Sequence, residues 1–238
     1  VAQEWKPNEF VALMAWVDGT PLAEFIGVFP LLAEEQQEQS SEALAIRWLR
    51  SMCEALHVLH RNGLVHGDVS PRNMIVSGSE LVLTDYDFVT KIGEPIRGVG
   101  TVLYSPHAHG KQPLASASDD IYALAASFFH VVFDREPFRY GGELAKDRGV
   151  NWEGIDRSKY KDLAAFIDKA THPDPSQRFS SAAEALAALR KVEPQEEKSQ
   201  QPLPPAPPEP RPSGAAQPRE EKIEWLLELL QSYPGSRW

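Results

Sequence analysis

The stretch "SDDIYALAASFFHVVF", residues 118–133, constrains the fold most. Its opening Ser and two Asp residues suit the first turn of a helix, and the positions after them are apolar nearly all the way round. A helix without a polar face must be surrounded by other elements. It is too short and too interrupted to span a membrane, so it belongs at the centre of a globular body. A chain of 238 residues with 42% hydrophobic content can build such a body, of about 190 residues, and carry a tail besides.

Other elements can be read around that helix. "FVALMAWV", residues 10–17, is an apolar run with β-forming residues that "DGTP" interrupts, which predicts a buried strand. Over residues 41–61, Leu44, Trp48, Met52, Leu56 and Leu59 recur at helical spacing, and Asn62-Gly63 supplies a stop. "NMIVSGSELVLTDYDF" predicts two short strands around the turn Ser77-Gly78-Ser79. Residues 84–119 show no sustained period and are expected to form a long loop. Helical patterns return at residues 158–171 and 180–192, separated by "HPDPSQRF". No internal repeat is visible. The fold class is α+β, mainly α-helical, with one body over residues 10–192 and a short remnant or connection over residues 1–9.

Residues 193–219 are dominated by Pro, Gln, Glu, Ser and Ala, which cannot bury enough apolar surface to fold, and are expected to form a disordered linker. Its "QPLPPAPPEPRP" reads as a spacer, with binding to SH3-like partners as the alternative. Over residues 220–238, Ile223, Leu226, Leu227 and Leu230 mark one face of an amphipathic helix. That helix either docks, on its own body or a partner, or opens a further domain.

A net charge of -10 and a pI near 5.2 argue against nucleic acid or anionic lipid as partner, since binding phosphate needs accumulated Lys and Arg. No apolar run is long enough for a membrane span, and "VAQEWKPNEF" lacks the basic and apolar regions of a secretion signal. Cys53 is the sole cysteine and lies in an apolar helical pattern, which suits a buried thiol in a reducing compartment. The expected location is the cytoplasm. The chain starts at Val1, and further sequence is expected upstream.

The chemistry centres on "HGDVSPRN", residues 66–73, and "TDYDF", residues 84–88. Phosphoryl transfer needs divalent cations to neutralise phosphates and a carboxylate to orient the attacking hydroxyl. Magnesium takes oxygen ligands, so Asp68, Asn73 and Asp85, on neighbouring loops, make a metal and base constellation.

These segments resemble the signatures of eukaryotic-like (Hanks-type) protein kinases, here of bacterial character. "HGDVSPRN" is similar to the catalytic loop HRDLKPEN, and "TDYDF" to the metal-binding DFG. "GTVLYSP" resembles GTxxYxAPE, "DDIYALA" the D-x-Y/W-S-x-G of the central helix, and "DPSQRF" the late DPxxRP. Five in the right order are strong where one alone would be weak. "LMAWVDG" resembles the hinge. The resemblance covers residues 10–192, the hinge and the large C-terminal lobe with its small β-hairpin. It implies Asp68 as catalytic base, Asn73 and Asp85 as Mg²⁺ ligands, and His66 as an orienting residue of the loop. For ATP it implies Met14 at the gatekeeper position, Ala15 and Val17 bonding adenine through their backbone, and Ile75 beneath it.

The departures matter equally. Gly67 stands where most of these kinases carry the Arg that reads a phosphorylated activation loop, which puts such control in doubt. Ser70 replaces a Lys that contacts the transferred phosphoryl, and Arg72 is a nearby cation that can compensate. Asp87 replaces the DFG glycine; it is read as a solvated carboxylate, with a third metal ligand as the alternative. His107 stands where the family has a Glu that pairs with the arginine matching Arg178, so a buried Arg178 needs another partner. "HAH" at residues 107–109 has no further metal ligands at useful spacing, and His57, His60 and His130 read as packing or surface residues. No Gly-rich loop, strand lysine or pairing glutamate stands before the hinge, so the resemblance is expected to cover the large lobe without the small one.

The leading expectation is an ATP- and Mg-dependent kinase of protein Ser or Thr hydroxyls, represented by its C-terminal lobe and weak or inactive in isolation. The alternatives are a pseudokinase module that binds partners without turnover and a small-molecule kinase of the aminoglycoside or choline type.

Overall fold

The apolar surround of residues 118–133 leaves that segment no stable place except the interior. The computed structural model describes residues 16–96, 101–107, 113–138, 146 and 148–190. All of them fall in one compact unit, Val1–Glu193. In chain order the elements are β1 (Thr20–Pro21), α1 (Phe29–Glu35), α2 (Ser41–Arg61), β2 (Leu64–Val65), β3 (Met74–Ser77), β4 (Glu80–Leu83), β5 (Thr90–Lys91), α3 (Ala117–Phe133), α4 (Lys161–Ala170) and α5 (Ala182–Arg190).

Thirteen of the 17 residues of α3 are buried, on every side of the helix. Its N-cap is Ser116, whose hydroxyl accepts from the Ser118 amide at 3.2 Å, one residue earlier than the apolar pattern alone indicates. Phe128 and Phe129 are fully buried and each contributes about 2–3 kcal/mol of burial. Around α3 pack α2, α4 and α5. No helix among the described residues is long and apolar enough to cross a membrane.

The long helix α2 runs over the predicted 41–61. Ser40 caps it by accepting from the Ala43 amide, and Gly63, at φ +73°, turns the chain beyond its end. Leu44, Trp48, Met52 and Leu56 are buried as the helical spacing requires, and Cys53 is fully buried too, which raises its thiol pKa far above the ordinary value. Glu42, on the first turn of α2, accepts from the Asp162 and Leu163 amides at 2.8 and 3.0 Å. One carboxylate thereby satisfies two of the exposed donors that open α4.

At its middle, α2 also holds the β-hairpin. The Trp48 indole and the Arg47 guanidinium both donate to the Ser79 carbonyl in the turn between β3 and β4, at 3.1 and 2.7 Å. The hairpin is antiparallel, with Met74 opposite Leu83 and Ser77 opposite Glu80, and Gly78 takes the positive φ of the turn. On its other edge β3 pairs with β1.

The strand expected over residues 10–17 needs correction in the part that is described; residues 10–15 lie outside the described residues. Trp16 and Val17 have no regular structure, and Trp16 is 90% exposed. Pairing begins instead at Thr20, because a Cβ on Gly19 would come within 2.2 Å of the Val76 carbonyl oxygen, so only glycine lets the chain close onto β3. Pro21, which lacks an N–H, is tolerated because β1 is an edge strand. An apolar run indicates which residues tolerate burial, not which find a partner.

Two further features have no periodic signal. The short α1 buries Phe29 against Trp48, with ring centres 6.1 Å apart. In the long loop, β5 pairs with β2, and the chain then ladders with residues 113–115 through Gly93 to Ala115, Ala115 to Glu94 and Ile96 to Pro113. The linker expected at 193–219 and the helix expected at 220–238 lie outside the described residues.

Candidate active site

The loop between β2 and β3 carries "HGDVSPRN", and Asp120 of α3 fixes its backbone. Asp120 is 2% exposed and its carboxylate accepts from the His66 amide at 2.8 Å, the Gly67 amide at 3.0 Å and His60 Nε2 at 3.0 Å. A buried charge is tolerable only with such a set of donors. The His60 side chain is itself 4% exposed, and its Nδ1 accepts from the Ala182 amide that opens α5. His60 is therefore a linking residue between the loop anchor and α5, not simply a packing or surface histidine.

His66 is fully buried and uses both ring nitrogens: Nε2 donates to the Thr84 carbonyl at 3.1 Å and Nδ1 accepts from the Asp68 amide at 3.3 Å. This pattern requires the neutral ring. Burial lowers its pKa, outweighing the opposing pull of Asp120, the Thr84 carbonyl, Asp68 and Asp85. Gly67 next to it adopts φ +82°, where a Cβ would lie 2.8 Å from the Phe88 carbonyl oxygen. The backbone at this position suits glycine for two independent reasons.

Asp68, Asn73 and Asp85 are brought together by the hairpin. The Asn73 side-chain amide donates to the Asp68 backbone carbonyl at 2.9 Å and to its carboxylate at 3.0 Å. Both partners are acceptors, so the NH₂ must face them and the amide oxygen is turned the other way. Thr84 bonds back to the Asn73 carbonyl through its amide at 2.9 Å and its hydroxyl at 3.2 Å, which sets Asp85 one residue beyond that junction. Asp85 adopts φ +63°, a conformation uncommon outside glycine and concentrated at functional sites. Tyr86 anchors the same turn by donating to the Leu83 carbonyl, and burial pushes its phenol up to about 12.

The other oxygen of Asp68 faces residues 101–107. Its Oδ1 accepts from the Thr101 amide at 2.8 Å and the Thr101 hydroxyl at 3.1 Å. Tyr104 bonds His130 Nδ1 through its hydroxyl at 2.8 Å, and burial raises its phenol to about 12. His130 therefore ties this segment to α3.

Of the remaining expected site residues, Arg72 is exposed on the Asp68 loop and Asp87 is exposed. Among the described residues no three His, Cys, Asp or Glu side chains gather into a metal-binding group. Ser70 is 1% exposed and its hydroxyl has no hydrogen-bond partner, so it presents no polar group to solvent. Ile75 lies half-buried on β3 opposite Pro21, and Val17 is half-buried just before Gly19, whose Cβ position abuts Ile75. Met14 and Ala15 lie outside the described residues.

Arg178 is partnered by backbone carbonyls and an aromatic ring. His107 does not pair with it; His107 Nε2 bonds Asp119 at 2.8 Å. Arg178 instead donates to the His172 and Pro173 carbonyls at 2.6 and 3.2 Å, with its guanidinium carbon 4.7 Å from the Tyr122 ring centre. Burial lowers its pKa, opposed by Tyr122, Asp119 and Asp174.

Sequence reasoning assigned no site role to Asp120, His60 or Thr101, nor to Lys146, whose ammonium meets the carbonyls of residues 102 and 105. Asp120 stands inside DDIYALA and Thr101 inside GTVLYSP, and those motifs are the sequence signal for them. His60 and Lys146 carry none.

The family model described as Protein kinase domain matches residues 5–189. Serine/threonine-protein kinase PknB of Mycobacterium leprae is 26% identical over 193 residues, covering 76% of this chain and 30% of that protein. Serine/threonine-protein kinase D of Synechocystis is 25% identical over 196 residues, covering 78% of this chain and 36% of that protein. This chain thus spans about a third of the length of these relatives. Among solved structures, the twitchin kinase fragment of C. elegans matches with a TM-score of 0.60 and 22% identity, over 73% of this chain and 40% of that one. The Cydia pomonella granulovirus kinase PK-1 matches with a TM-score of 0.52 and 22% identity, over 61% of this chain and 57% of that one. These structures share the fold, and the family match over residues 5–189 agrees with the ordered motifs: the chain belongs to the protein kinase family.

Proposed function

We propose that residues 10–192 are the hinge and C-terminal lobe of an ATP-dependent kinase that phosphorylates Ser or Thr hydroxyls of proteins, with Asp68 as catalytic base and Asn73 and Asp85 as Mg²⁺ ligands. The observation that carries this reading is the double restraint on Asp68, with Asn73 on one carboxylate oxygen and Thr101 on the other. A base held on both sides has a defined direction toward an acceptor.

The donor set fits magnesium: the outward amide oxygen of Asn73 and the carboxylate of Asp85 are hard oxygen ligands on adjoining turns. Asn73 and Asp85 would hold the magnesium, which would supply positive charge to neutralise the phosphates. Asp87 is a solvated carboxylate outside this pair. By the family resemblance Met14, Ala15 and Val17 would meet the adenine from the hinge, and Ile75, half-buried on β3, would lie beneath it. Asp68 orients the acceptor hydroxyl and takes its proton as the hydroxyl oxygen bonds the γ-phosphorus and ADP departs with the bridging oxygen. Arg72 supplies the cation that Ser70 does not.

The test is Mg²⁺-dependent transfer of labelled γ-phosphate, by this chain and by a version extended upstream, to a generic protein and separately to aminoglycoside and choline acceptors. Transfer to protein, abolished by Asp85→Ala, supports the reading; transfer only to the small acceptors overturns its substrate class. A second reading, a binding module without turnover, is favoured by the buried Ser70. It predicts nucleotide binding with no transfer to any acceptor.

A further inference from the structure

Residues 101–107 reach Asp68 through Thr101, yet one of their anchors comes from far along the chain. Lys146, between α3 and α4, is 9% exposed, and its ammonium donates to the Val102 carbonyl at 3.0 Å and the Ser105 carbonyl at 2.5 Å. It also stands 6.0 Å from the Phe138 ring centre. Within the segment, the Tyr104 and Ser105 amides both donate to the Thr101 carbonyl, at 2.9 and 3.2 Å. The internal bonds curl the turn so that the carbonyls of residues 102 and 105 converge outside it, where one cation meets both. Bonds from a charged donor are the strong class, and a buried ammonium holds its acceptors against solvent.

We infer that Lys146 is a positioning residue: it holds residues 101–107 in the curl that sets Thr101 against Asp68. Gly67 carries no side chain with which to read a phosphate on this loop. Lys146 supplies a cation to the same segment from within the fold. Tyr104 on His130 and His107 on Asp119 secure the same segment to α3 but do not satisfy these two carbonyls. The kinetic consequence rests on the phosphotransfer reading; the structural consequence does not.

The experiment compares the 238-residue chain with Lys146→Met, which keeps the apolar stem beside Phe138 and removes the charge, and Lys146→Arg, which restores a donor. Amide hydrogen exchange is read at Thr101, Tyr104 and Ser105, with melting temperature as the control for global stability. The expected result is exchange about tenfold faster or more at these three amides in Lys146→Met, recovered at least partly in Lys146→Arg, with α2 and α3 unchanged. In transfer assays on the upstream-extended chain carrying the same substitutions, the KM for the protein acceptor rises roughly tenfold in Lys146→Met while the KM for ATP is unchanged. Unchanged exchange at residues 101–105 overturns the inference whether or not the chain transfers phosphate. Equal exchange increases throughout the body, tracking a lower melting temperature, also overturn it, because they make Lys146 a general stabilising residue. If transfer is absent in every variant of the upstream-extended chain, the phosphotransfer reading fails by itself and exchange alone decides the role of Lys146.

Discussion

Replacing Gly67 with alanine separates two costs that the structure assigns to one position. The first is conformational: at φ +82° an L-residue costs about 1–2 kcal/mol. The second is contact: the new Cβ would lie 2.8 Å from the Phe88 carbonyl oxygen, which already accepts from the Thr90 hydroxyl at 2.9 Å. Backbone cannot swing aside as a side chain can, and relieving that overlap costs about another 1–2 kcal/mol. Gly63 is the internal control, since it has φ +73° but nothing within 4 Å of its Cβ position. Gly63→Ala is expected to lose only the conformational part, and Gly67→Ala a total of about 2–4 kcal/mol. For a body of this size that corresponds to a melting temperature lowered by roughly 4–16 °C. Urea unfolding of the two variants beside the parent chain gives the difference directly. Equal losses in the two variants would refute the contact argument, because they would mean that residues 66–68 relax away from Phe88 freely. Gly67→Arg is likewise expected not to introduce control by loop phosphorylation, because the Arg cannot enter without moving Phe88 and the turn that bears Asp85.

Asp120→Asn leaves one oxygen to serve three buried donors and points its own NH₂ at the others, so urea unfolding should show a loss of about 2–4 kcal/mol; a loss below about 0.5 kcal/mol would mean that the loop anchor is dispensable. Stability should also depend on pH through His66. Burial keeps the folded ring neutral, whereas the unfolded ring protonates near its ordinary pKa of about 6.5, so stability present above that pH is lost as the pH falls through it. His130 and His57 are lowered in the same direction, both first by burial. Melting temperature should therefore decline on acidification from about pH 7.5 to about pH 5.5, less so in His66→Gln, and a flat profile in the parent chain would contradict the buried neutral ring. Arg178→Met keeps the stem over Tyr122 but leaves the His172 and Pro173 carbonyls without their donor, and differential unfolding should show a loss of about 1–3 kcal/mol; no loss would show that the two carbonyls find water instead.

What could be read from sequence was whatever a local pattern records. The bounds of α2, the hairpin around Gly78 and the all-round burial of α3 follow from spacing within a few residues of chain, and the structure reproduces them. The pairing of β5 with β2 and the ladder from Gly93 to Ala115 join short segments without alternation, so no period announces them. Trp16 shows the opposite failure, an apolar run continuing past the point where burial stops. At the site, Asp68, Asn73 and Asp85 were marked by motif, while the groups that hold them were not. Asp120 reads in sequence as one more acid in a helix cap, and only tertiary structure turns it inward to the His66 and Gly67 amides. Lys146 meets carbonyls 41 and 44 residues away, and a carbonyl has no sequence signature at all.

The central claim is that Asp68 acts on an acceptor hydroxyl beside a nucleotide held by other residues. Its most direct test is transfer of labelled γ-phosphate from Mg-ATP to a protein acceptor by the upstream-extended chain and its Asp68→Asn variant, with ATP binding followed by thermal shift in both. The account predicts transfer by the parent, a loss of about a hundredfold or more in Asp68→Asn, and the same nucleotide-induced shift in each. Equal transfer by the two proteins, or loss of nucleotide binding together with loss of transfer, would contradict it.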